Sequence, residues 1–514
     1  MEMGINNRPV LLNTLAVLLS FGLNITINFF VSPYIIRTLG SDALGFLKLA
    51  NDFTMYATLI TIALNSMATR FLMLAREQGD MKRFSEYFTT LVYSNRIIAL
   101  VLLLVFVACI CWIDCLVNVP DRLLGQVRIA YAMTFIMFCA TLSFSPYGIC
   151  FFLVNRLHIG TFRGSLCNCI AQGCVLLLFY CFEPNISYMC VGGMVSGMYV
   201  IYTNLYFFRK WFPDEIVSRS YFSYRRLWEL ISSGMWNSIT KLSQVFSSGL
   251  DLLVSNIFIS SVAMGYLSVA KMIPGLMVSL NAGVAASFAP NLMQHYASGD
   301  IASLKTAAKT AIKFMCLFIT LPNAVLIVFG EEFFRLWVPD QPAELINILS
   351  ILTLVNSCVT GPMQPLYQIF TITNKIRQSS IVIITYGFVS ILVTLICLKY
   401  TSLGLYAVAG VSLVCSLIVA LGYHLPYSAK YIGLPWFEFF PEIGKSALSL
   451  LVVCLVGIAV KYTLPAADSW WIWFLSVGLM CVVGFCFNVC IVLKSDERRA
   501  LFTILAKKLR IVKR

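Results

Sequence analysis

The sequence has 514 residues, of which 59% are hydrophobic and 12% are charged, and its mean hydropathy is +0.85. This composition excludes a water-soluble globular protein and predicts an integral membrane protein, because apolar stretches of about 20 residues, enough to cross a bilayer, recur along the chain. The formal net charge of +14 does not predict nucleic-acid binding, because membrane proteins concentrate Lys and Arg in their cytoplasmic loops.

Fourteen predicted spans follow one another along the chain, with short loops between them. The N-terminal segment "MEMGINNRPV" lacks the pattern of a cleaved signal peptide, so we expect the first span to be retained. The longest breaks are "KWFPDEIVSRSYFSYRR" in the middle and "KYIGLPWFEFFPEIGK" before the last two spans. The predicted spans are 10–36, 43–74, 88–114, 125–154, 162–182, 187–209, 231–258, 262–293, 307–330, 343–372, 377–398, 402–428, 444–464 and 470–493.

The basic residues predict the orientation of these spans. With a cytoplasmic start, 26 of the 37 Lys and Arg residues fall on the cytoplasmic side, five on the opposite side and six within spans. This asymmetry predicts that both termini lie in the cytoplasm and that the number of spans is even. The basic tail, 495–514, either lies on the inner leaflet as an amphipathic helix or only enforces the topology.

An internal repeat organises the chain. A shift of 220 residues aligns Gly45 with Gly265 and Gly79 with Gly299, and a shift of 219 aligns the two "VPD" tripeptides at 119–121 and 338–340. Because six spans is an even number, both repeats start on the same side and are parallel. We therefore predict an all-α membrane protein of two parallel six-helix lobes plus a C-terminal helix pair. The predicted parts are 1–211 (first lobe), 212–230 (cytoplasmic linker), 231–429 (second lobe), 430–494 (last two helices) and 495–514 (basic tail).

The first and seventh spans, which are repeat equivalents, each carry a polar stripe. Asn24 and Asn28 belong to the first stripe and Gln244 to the second. A lipid-facing helix would not keep such a stripe, because unpaired polar groups in hydrocarbon cost several kcal/mol. The three side chains are therefore predicted to bind substrate in a cavity between the lobes, or else to join helices by hydrogen bonds.

Charged residues within the spans sharpen this prediction, because a charge at mid-bilayer usually faces water or a partner and marks function. Lys48 and Asp52 are four residues apart, so they either neutralise each other or both contribute to the site. Basic residues outnumber acidic ones, which suits an anionic cargo such as a phosphate or pyrophosphate. The predicted substrate-binding cations are Lys48, Arg96, Lys241 and Lys271, and the predicted ion-coupling or charge-pairing residues are Asp52 and Asp251.

Other motifs predict no catalytic residue, metal site or cofactor. The 18 cysteines lie mainly in apolar runs without the spacing of a zinc site. The tetrapeptide "IGKS" at 443–446 lacks the first glycine of a phosphate-binding loop, so it does not indicate ATP binding. The three histidines are far apart and near predicted helix ends.

The segments "PYIIRTLGSDALGFLKLANDF" (33–53) and "LDLLVSNIFISSVAMGYLSVAKMIP" (250–274) resemble polysaccharide-biosynthesis flippases of the Wzx type. These belong to the MOP superfamily, with the MATE multidrug exporters and the lipid II flippase MurJ. The resemblance implies a carrier of undecaprenyl-diphosphate-linked oligosaccharide in the bacterial inner membrane, working beside a polysaccharide polymerase and assembly proteins. It also implies that Asp251 stands where the family commonly has Asp. The predicted first span lacks the arginines of MurJ, which argues against a peptidoglycan precursor.

Two other functions remain open from the sequence. A MATE-like exporter of cations would share the fold, but it should present an acidic cavity. An enzyme such as a glycosyltransferase needs carboxylates or His on an ordered outer loop, and the longest such predicted loop, "GEEFFRLWVPDQPAE", is short. The glycan and the coupling ion are not predicted.

Overall fold

A computed structural model describes residues 22, 26, 29–154, 156–213, 217–373, 375–465 and 467–499. These residues form helices and loops without a strand, as predicted. Eleven described helices are long and apolar enough to cross a membrane, or twelve if one bent pair counts as a single span. The prediction of fourteen spans is therefore not confirmed. The two missing ones are 10–36, which lies largely outside the described residues, and 231–258, where a π-helical turn separates a polar helix from a short apolar one.

The chain divides into two compact units, Met1–Ser268 and Val269–Arg514. The predicted lobe boundary near residue 211 stays a prediction, and the packing places the helices that follow it, up to Ser268, in the first unit. The helices of this unit are α1 (Phe29–Leu39), α2 (Ser41–Asn65), α3 (Ala68–Glu77), α4 (Met81–Cys111), α5 (Ile113–Leu116), α6 (Asp121–Phe144), α7 (Cys150–Leu153), α8 (Leu157–Cys181), α9 (Ile186–Trp211), α10 (Tyr224–Gln244), α11 (Asp251–Phe258) and α12 (Ser261–Ala270), the last of which crosses the boundary.

The second unit contains the remaining helices. Helix α15 is the most buried of the described spans, and α16, α20 and α21 pack against it. The helices are α13 (Met272–Ala286), α14 (Ala289–Ala297), α15 (Ile301–Trp337), α16 (Ala343–Ile372), α17 (Ile376–Tyr400), α18 (Leu405–Val419), α19 (Leu425–Lys430), α20 (Phe440–Thr463) and α21 (Trp470–Val492).

The same local structure recurs at positions 220 residues apart. Gly79 and Gly299 adopt φ values of 71° and 72°, in the left-handed region that favours glycine. The next residue caps the following helix in both places: the Asp80 carboxylate accepts the Arg83 backbone N–H at 2.9 Å, and Asp300 accepts that of Ser303 at 2.9 Å. The "GD" pair of each repeat is thus a turn followed by a helix cap.

Helix α10 lies against α2 at a very close distance. A Cβ placed on Gly234 would lie 2.0 Å from the Ala63 carbonyl oxygen, so only glycine permits this approach of the two backbones. Small residues at helix crossings are the usual means of close packing in membranes.

We expect Gly234→Ala to lower the free energy of unfolding by about 1–3 kcal/mol, because the added methyl group forces the two helices apart. The thermal midpoint of the purified protein in detergent measures this effect. Gly125→Ala in α6 is the control, since a Cβ there meets no atom within 4 Å. Equal midpoints for the two variants would contradict the close packing of α2 and α10.

Polar contacts join α11 to the chain between α5 and α6. The Asn118 backbone N–H donates to Asn256 Oδ1 at 2.8 Å, and Asn118 Nδ2 donates to the Asn256 carbonyl at 2.9 Å. Nearby in sequence, Arg122 forms an ion pair of 2.6 Å with the buried Asp42 at the start of α2. These contacts fix the ends of α2, α6 and α11.

In the second unit, Glu438 in the loop before α20 binds two lysines of α15. Its Oε1 lies 2.8 Å from Lys305 Nζ and 2.5 Å from Lys309 Nζ. Hydrogen bonds from Lys305 and then Lys309 hold the pKa of the Glu438 carboxyl below its usual value. The loop and the helix are thereby linked by charge.

This link makes part of the stability depend on pH. Because the folded-state pKa of Glu438 is lowered, its contribution is fully present above the unfolded pKa of about 4.3 and is lost as the pH falls through the folded value. We expect Glu438→Gln to lower the thermal midpoint at pH 7 by about 1–3 °C, and the difference from wild type to vanish in acid. Glu77→Gln, at an exposed position of α3, is the control. An equal fall of its thermal midpoint would show that the loss in Glu438→Gln does not come from the ion pairs with Lys305 and Lys309.

Candidate transport site

Three side chains that carry a charge or a hydroxyl lie on one face of α2. Lys48, Asp52 and Tyr56 are separated by four residues each, so they follow one another at about one turn per step. All three are half-buried. The sequence predicted Lys48 and Asp52 as site residues, and it missed Tyr56, although the same spacing extends to it.

The facing helix is interrupted beside this row. Helix α10 ends at Gln244, a π-helical turn covers Val245–Gly249, and α11 begins at Asp251. The Tyr56 hydroxyl donates to the Gly249 carbonyl oxygen at 2.5 Å, at the end of the interruption. A π-helical turn inside a helix often marks a functional position, because it leaves backbone groups available for other partners.

Asp52, Tyr56 and Asp251 form what we call the acid-tyrosine cluster. The charges of Asp52 and Asp251 are both close enough to act on the Tyr56 hydroxyl. Asp251 occupies the first turn of α11, where the positive end of the helix dipole favours a carboxylate. The structure therefore brings together the two acidic residues that the sequence predicted, 199 positions apart in the chain.

Tyr131 of α6 adjoins this cluster and was also missed by sequence reasoning. It is 1% exposed, and its hydroxyl finds no hydrogen-bond partner among the described residues. The charge of Asp52 reaches it, and its ring packs on Phe53 with centroids 6.2 Å apart. An unsatisfied buried hydroxyl can donate to a water molecule or offer its oxygen to a cation.

The Lys48 side chain contacts α12. Its ammonium donates to the carbonyl oxygen of Ser268 in α12. Helices α2 and α12 approach closely there, since a Cβ on Gly265 would lie 2.6 Å from the backbone of Ser41. This contact gives Lys48 a partner outside its own helix, while the predicted pairing of Lys48 with Asp52 stays a prediction.

Lys271, in the second unit, lies at a helix break. Helices α12 and α13 meet at an angle of 42°, and Lys271 is the residue between them. Pro274 explains the bend, because it has no N–H to donate to the carbonyl of Ala270, four residues earlier. Broken helices of this kind form substrate and ion sites in transporters, and the predicted role of Lys271 stays a prediction.

The structure gives fewer contacts for the other predicted site residues. Lys241 is half-buried near the end of α10. Arg96 of α4 is exposed, and its guanidinium lies 5.9 Å from the centroid of Phe144. Asn24, Asn28 and the side chain of Gln244 lie outside what the structure describes, so their predicted roles stay predictions.

A family model described as "Polysaccharide biosynthesis protein" matches residues 10–295, more than half of the chain. The chain belongs to the polysaccharide biosynthesis protein family. The matched part contains α2, α10, α11 and the bent pair α12 and α13. Every predicted site residue therefore falls inside the matched region.

One curated relative and several solved structures resemble this member of the polysaccharide biosynthesis protein family. The chain is 29% identical over 399 residues to "Uncharacterized membrane protein EpsK" of Bacillus subtilis (strain 168), which covers 77% of this chain and 78% of that protein. The inward closed structure of the lipid II flippase MurJ has a TM-score of 0.71 at 14% identity, covering 93% of this chain and 98% of that one. An inward-facing MATE multidrug transporter of the MOP superfamily has a TM-score of 0.61 at 15% identity, with coverages of 79% and 94%.

These comparisons confirm the predicted family and the predicted all-α fold of the MATE and MurJ type. The protein is a multi-pass membrane protein of the polysaccharide biosynthesis protein family, and it shares its fold with a flippase and with a multidrug transporter of solved structure. At 14–15% identity the solved structures show a shared fold and nothing about cargo.

In this family member, the cluster offers oxygen atoms of the kind that bind a small cation. Carboxylate, hydroxyl and carbonyl oxygens converge where α2 meets the interrupted helix, and oxygen ligands suit a proton or a hard monovalent cation. Within the described ranges, no three His, Cys, Asp or Glu side chains are grouped as a metal site. The described residues therefore suit a cation that binds and leaves, at a partly buried position between α2 and the interrupted helix.

Proposed function

We propose that this protein is a flippase that carries undecaprenyl-diphosphate-linked oligosaccharide across the bacterial inner membrane by alternating access. The observation that carries this proposal is the match of residues 10–295 to the polysaccharide biosynthesis protein family. The proposed cargo has a lipid part, a diphosphate and a sugar part. Both termini are proposed to lie in the cytoplasm, following the distribution of Lys and Arg.

The cationic residues support an anionic cargo. Lys271 lies at the break between α12 and α13, and Lys241 lies shortly before the interruption that precedes α11. Interrupted helices supply free backbone groups, and lysine supplies a charge that binds phosphate. In this proposal, the two lysines receive the diphosphate, together with Arg96, Lys48 and the polar side chains of Asn24, Asn28 and Gln244.

The acid-tyrosine cluster supports coupling to an ion gradient. Its two carboxylates lie close enough to the Tyr56 hydroxyl to act on it, and carboxylate and hydroxyl oxygens are suitable ligands for a transported cation. Release or uptake of that ion would change the contact of Tyr56 with Gly249 and so the fit of α2 against the interrupted helix. This gives a physical route from ion binding to helix movement.

The same cluster favours a second candidate, a MATE-like antiporter of organic cations. Carboxylates at the cargo site would attract a cation directly, and the solved MATE structures share the fold. The two functions differ in the sign of the cargo, which an experiment can separate.

Reconstitution into liposomes tests the proposal. A fluorescent polyprenyl-diphosphate oligosaccharide is placed in one leaflet, and a membrane-impermeant quencher reports its movement under an imposed pH gradient. The proposal predicts protein-dependent movement of this lipid and no uptake of a cationic dye. Dye transport without lipid movement would overturn the flippase proposal and favour the exporter.

A further inference from the structure

A cavity of about 520 Å³ lies in the second unit, where the ends of α15, α20 and α21 meet. Its volume falls within the range of about 300–1,000 Å³ that is typical of small-molecule sites. Most of its lining is apolar, and it also holds two charged side chains, Glu332 of α15 and Lys461 of α20. The transport proposal does not use this cavity.

Glu332 and Lys461 form an ion pair, but neither uses all of its hydrogen-bonding capacity in it. One carboxylate oxygen of Glu332, Oε1, forms an ion pair with Lys461. The other, Oε2, is buried and has no hydrogen-bond partner in the described part of the chain. An unsatisfied buried carboxylate oxygen is costly, so a donor that enters the cavity would be stabilised there.

Lys461 also keeps capacity for a ligand. Its Nζ donates to the Val328 carbonyl at 3.3 Å as well as to Glu332, and an ammonium group has three N–H donors. The Lys461 side chain is 40% exposed, whereas that of Glu332 is 14% exposed. The cation is therefore near the mouth of the cavity and the carboxylate is deeper.

The surroundings of the mouth are those of a lipid-facing surface. Leu455, Ile458 and Tyr462 lie on one face of α20 at spacings of three and four residues, and all are exposed. Ile458 and Tyr462 also line the cavity. In a helix that spans a bilayer, such exposed apolar residues contact acyl chains, so the cavity opens toward lipid.

We propose that this cavity binds the headgroup of a zwitterionic phospholipid with a primary ammonium, as in phosphatidylethanolamine. On binding, the Glu332 carboxylate turns so that Oε2 faces the cavity and accepts from the lipid ammonium, and the lipid phosphate accepts from Lys461. The acyl chains then run along Leu455 and Ile458. The order of charges in the cavity, with the carboxylate deep and the cation near the mouth, matches a headgroup whose ammonium is at the tip and whose phosphate is nearer to the chains.

The thermal midpoint of the purified protein in detergent, with defined lipids added, tests this inference. Phosphatidylethanolamine should give a saturable rise of about 2–4 °C. Phosphatidylcholine should protect less, because its quaternary ammonium has no N–H to donate, and phosphatidylglycerol should protect least. Soluble phosphoethanolamine, which has the same headgroup without chains, should have little effect at equal concentration.

Variants link the effect to the cavity. Glu332→Gln should reduce the advantage of phosphatidylethanolamine over phosphatidylcholine, and Glu332→Gln combined with Lys461→Met should abolish protection by either lipid without leaving an unpaired charge. Glu331→Gln is the matched control, because Glu331 pairs with Arg335 at 2.5 Å and does not line the cavity. That variant should respond to lipids as wild type does.

Three outcomes would overturn the inference. Equal protection by phosphatidylglycerol would show a simple anion site, and equal protection by soluble phosphoethanolamine would show a site that is not for lipid. An unchanged lipid ranking in Glu332→Gln, with lipid adducts counted by native mass spectrometry at wild-type levels, would place the lipid elsewhere.

Discussion

Replacing Asp251 or Asp52 with asparagine is expected to uncouple transport from the ion gradient. Both carboxylates act on the Tyr56 hydroxyl at the point where α11 begins, and asparagine keeps the shape of the side chain while removing its ability to take up a cation. If the bound cation interacts with the carboxylate as strongly as a charge-assisted hydrogen bond, about 1.5–3 kcal/mol, the gradient-driven rate should fall by about 10–150-fold. The measurement is liposome flipping with and without an imposed gradient.

Two further variants define the role of the cluster. Tyr56→Phe removes one neutral hydrogen bond, to the Gly249 carbonyl, and should cost a smaller factor of about two- to tenfold. Asp114→Asn is the control, since that carboxylate is half-exposed and pairs with Arg128 at 2.6 Å. If Asp52→Asn and Asp251→Asn still responded to the gradient as wild type does, coupling would have to occur elsewhere.

Replacing Lys271 with alanine is expected to weaken binding of the lipid-linked diphosphate. The side chain lies at the bend between α12 and α13, where the helix is interrupted by the effect of Pro274. Loss of one ammonium-phosphate hydrogen bond should raise the apparent KM for the cargo about tenfold or more, with a smaller change in the maximal rate. Lys241→Ala should act in the same direction, and the double variant should abolish measurable flipping.

Lys271→Arg is expected to restore part of the affinity, because it keeps the charge but changes the donor geometry. Lys399→Ala is a suitable control, since Lys399 is exposed near the end of α17 and its ammonium lies 5.4 Å from the Tyr400 ring centroid. Flipping at the wild-type rate in the double variant Lys241→Ala/Lys271→Ala, at normal protein levels, would contradict the cationic cargo site.

The course of the helices was predictable because each long apolar stretch must satisfy its own backbone hydrogen bonds in a bilayer. The predicted span 307–330 lies within the longer helix α15, and 343–372 has the same bounds as α16. The span 231–258 was predicted as one helix, but hydropathy alone does not reveal a π-helical turn at Val245–Gly249. The registers of α10 and α11 therefore differ from those of a continuous helix, which the polar spacing of the sequence does not reveal.

The candidate site was predictable in part. Asp52 and Asp251 were chosen because charges within spans are costly, and the structure places both near one hydroxyl. Tyr56 could have been found by extending the four-residue spacing from Lys48 and Asp52. Tyr131 could not, because a single tyrosine in an apolar stretch has no distinguishing pattern, and only packing shows that its hydroxyl is buried beside the cluster.

The sequence by itself determined the membrane character, the 220-residue repeat with its matched Gly79 and Gly299 turns, and the set of charges within the spans, because these follow from composition and local conformation. The tertiary structure decided which of those charges meet. It placed α10 and α11 in the first unit, against α2, and so brought both Asp251 and Asp52 close to the Tyr56 hydroxyl. Contacts between residues so far apart in the chain depend on the fit of helix surfaces, such as Gly234 against Ala63, and not on any local preference of the chain.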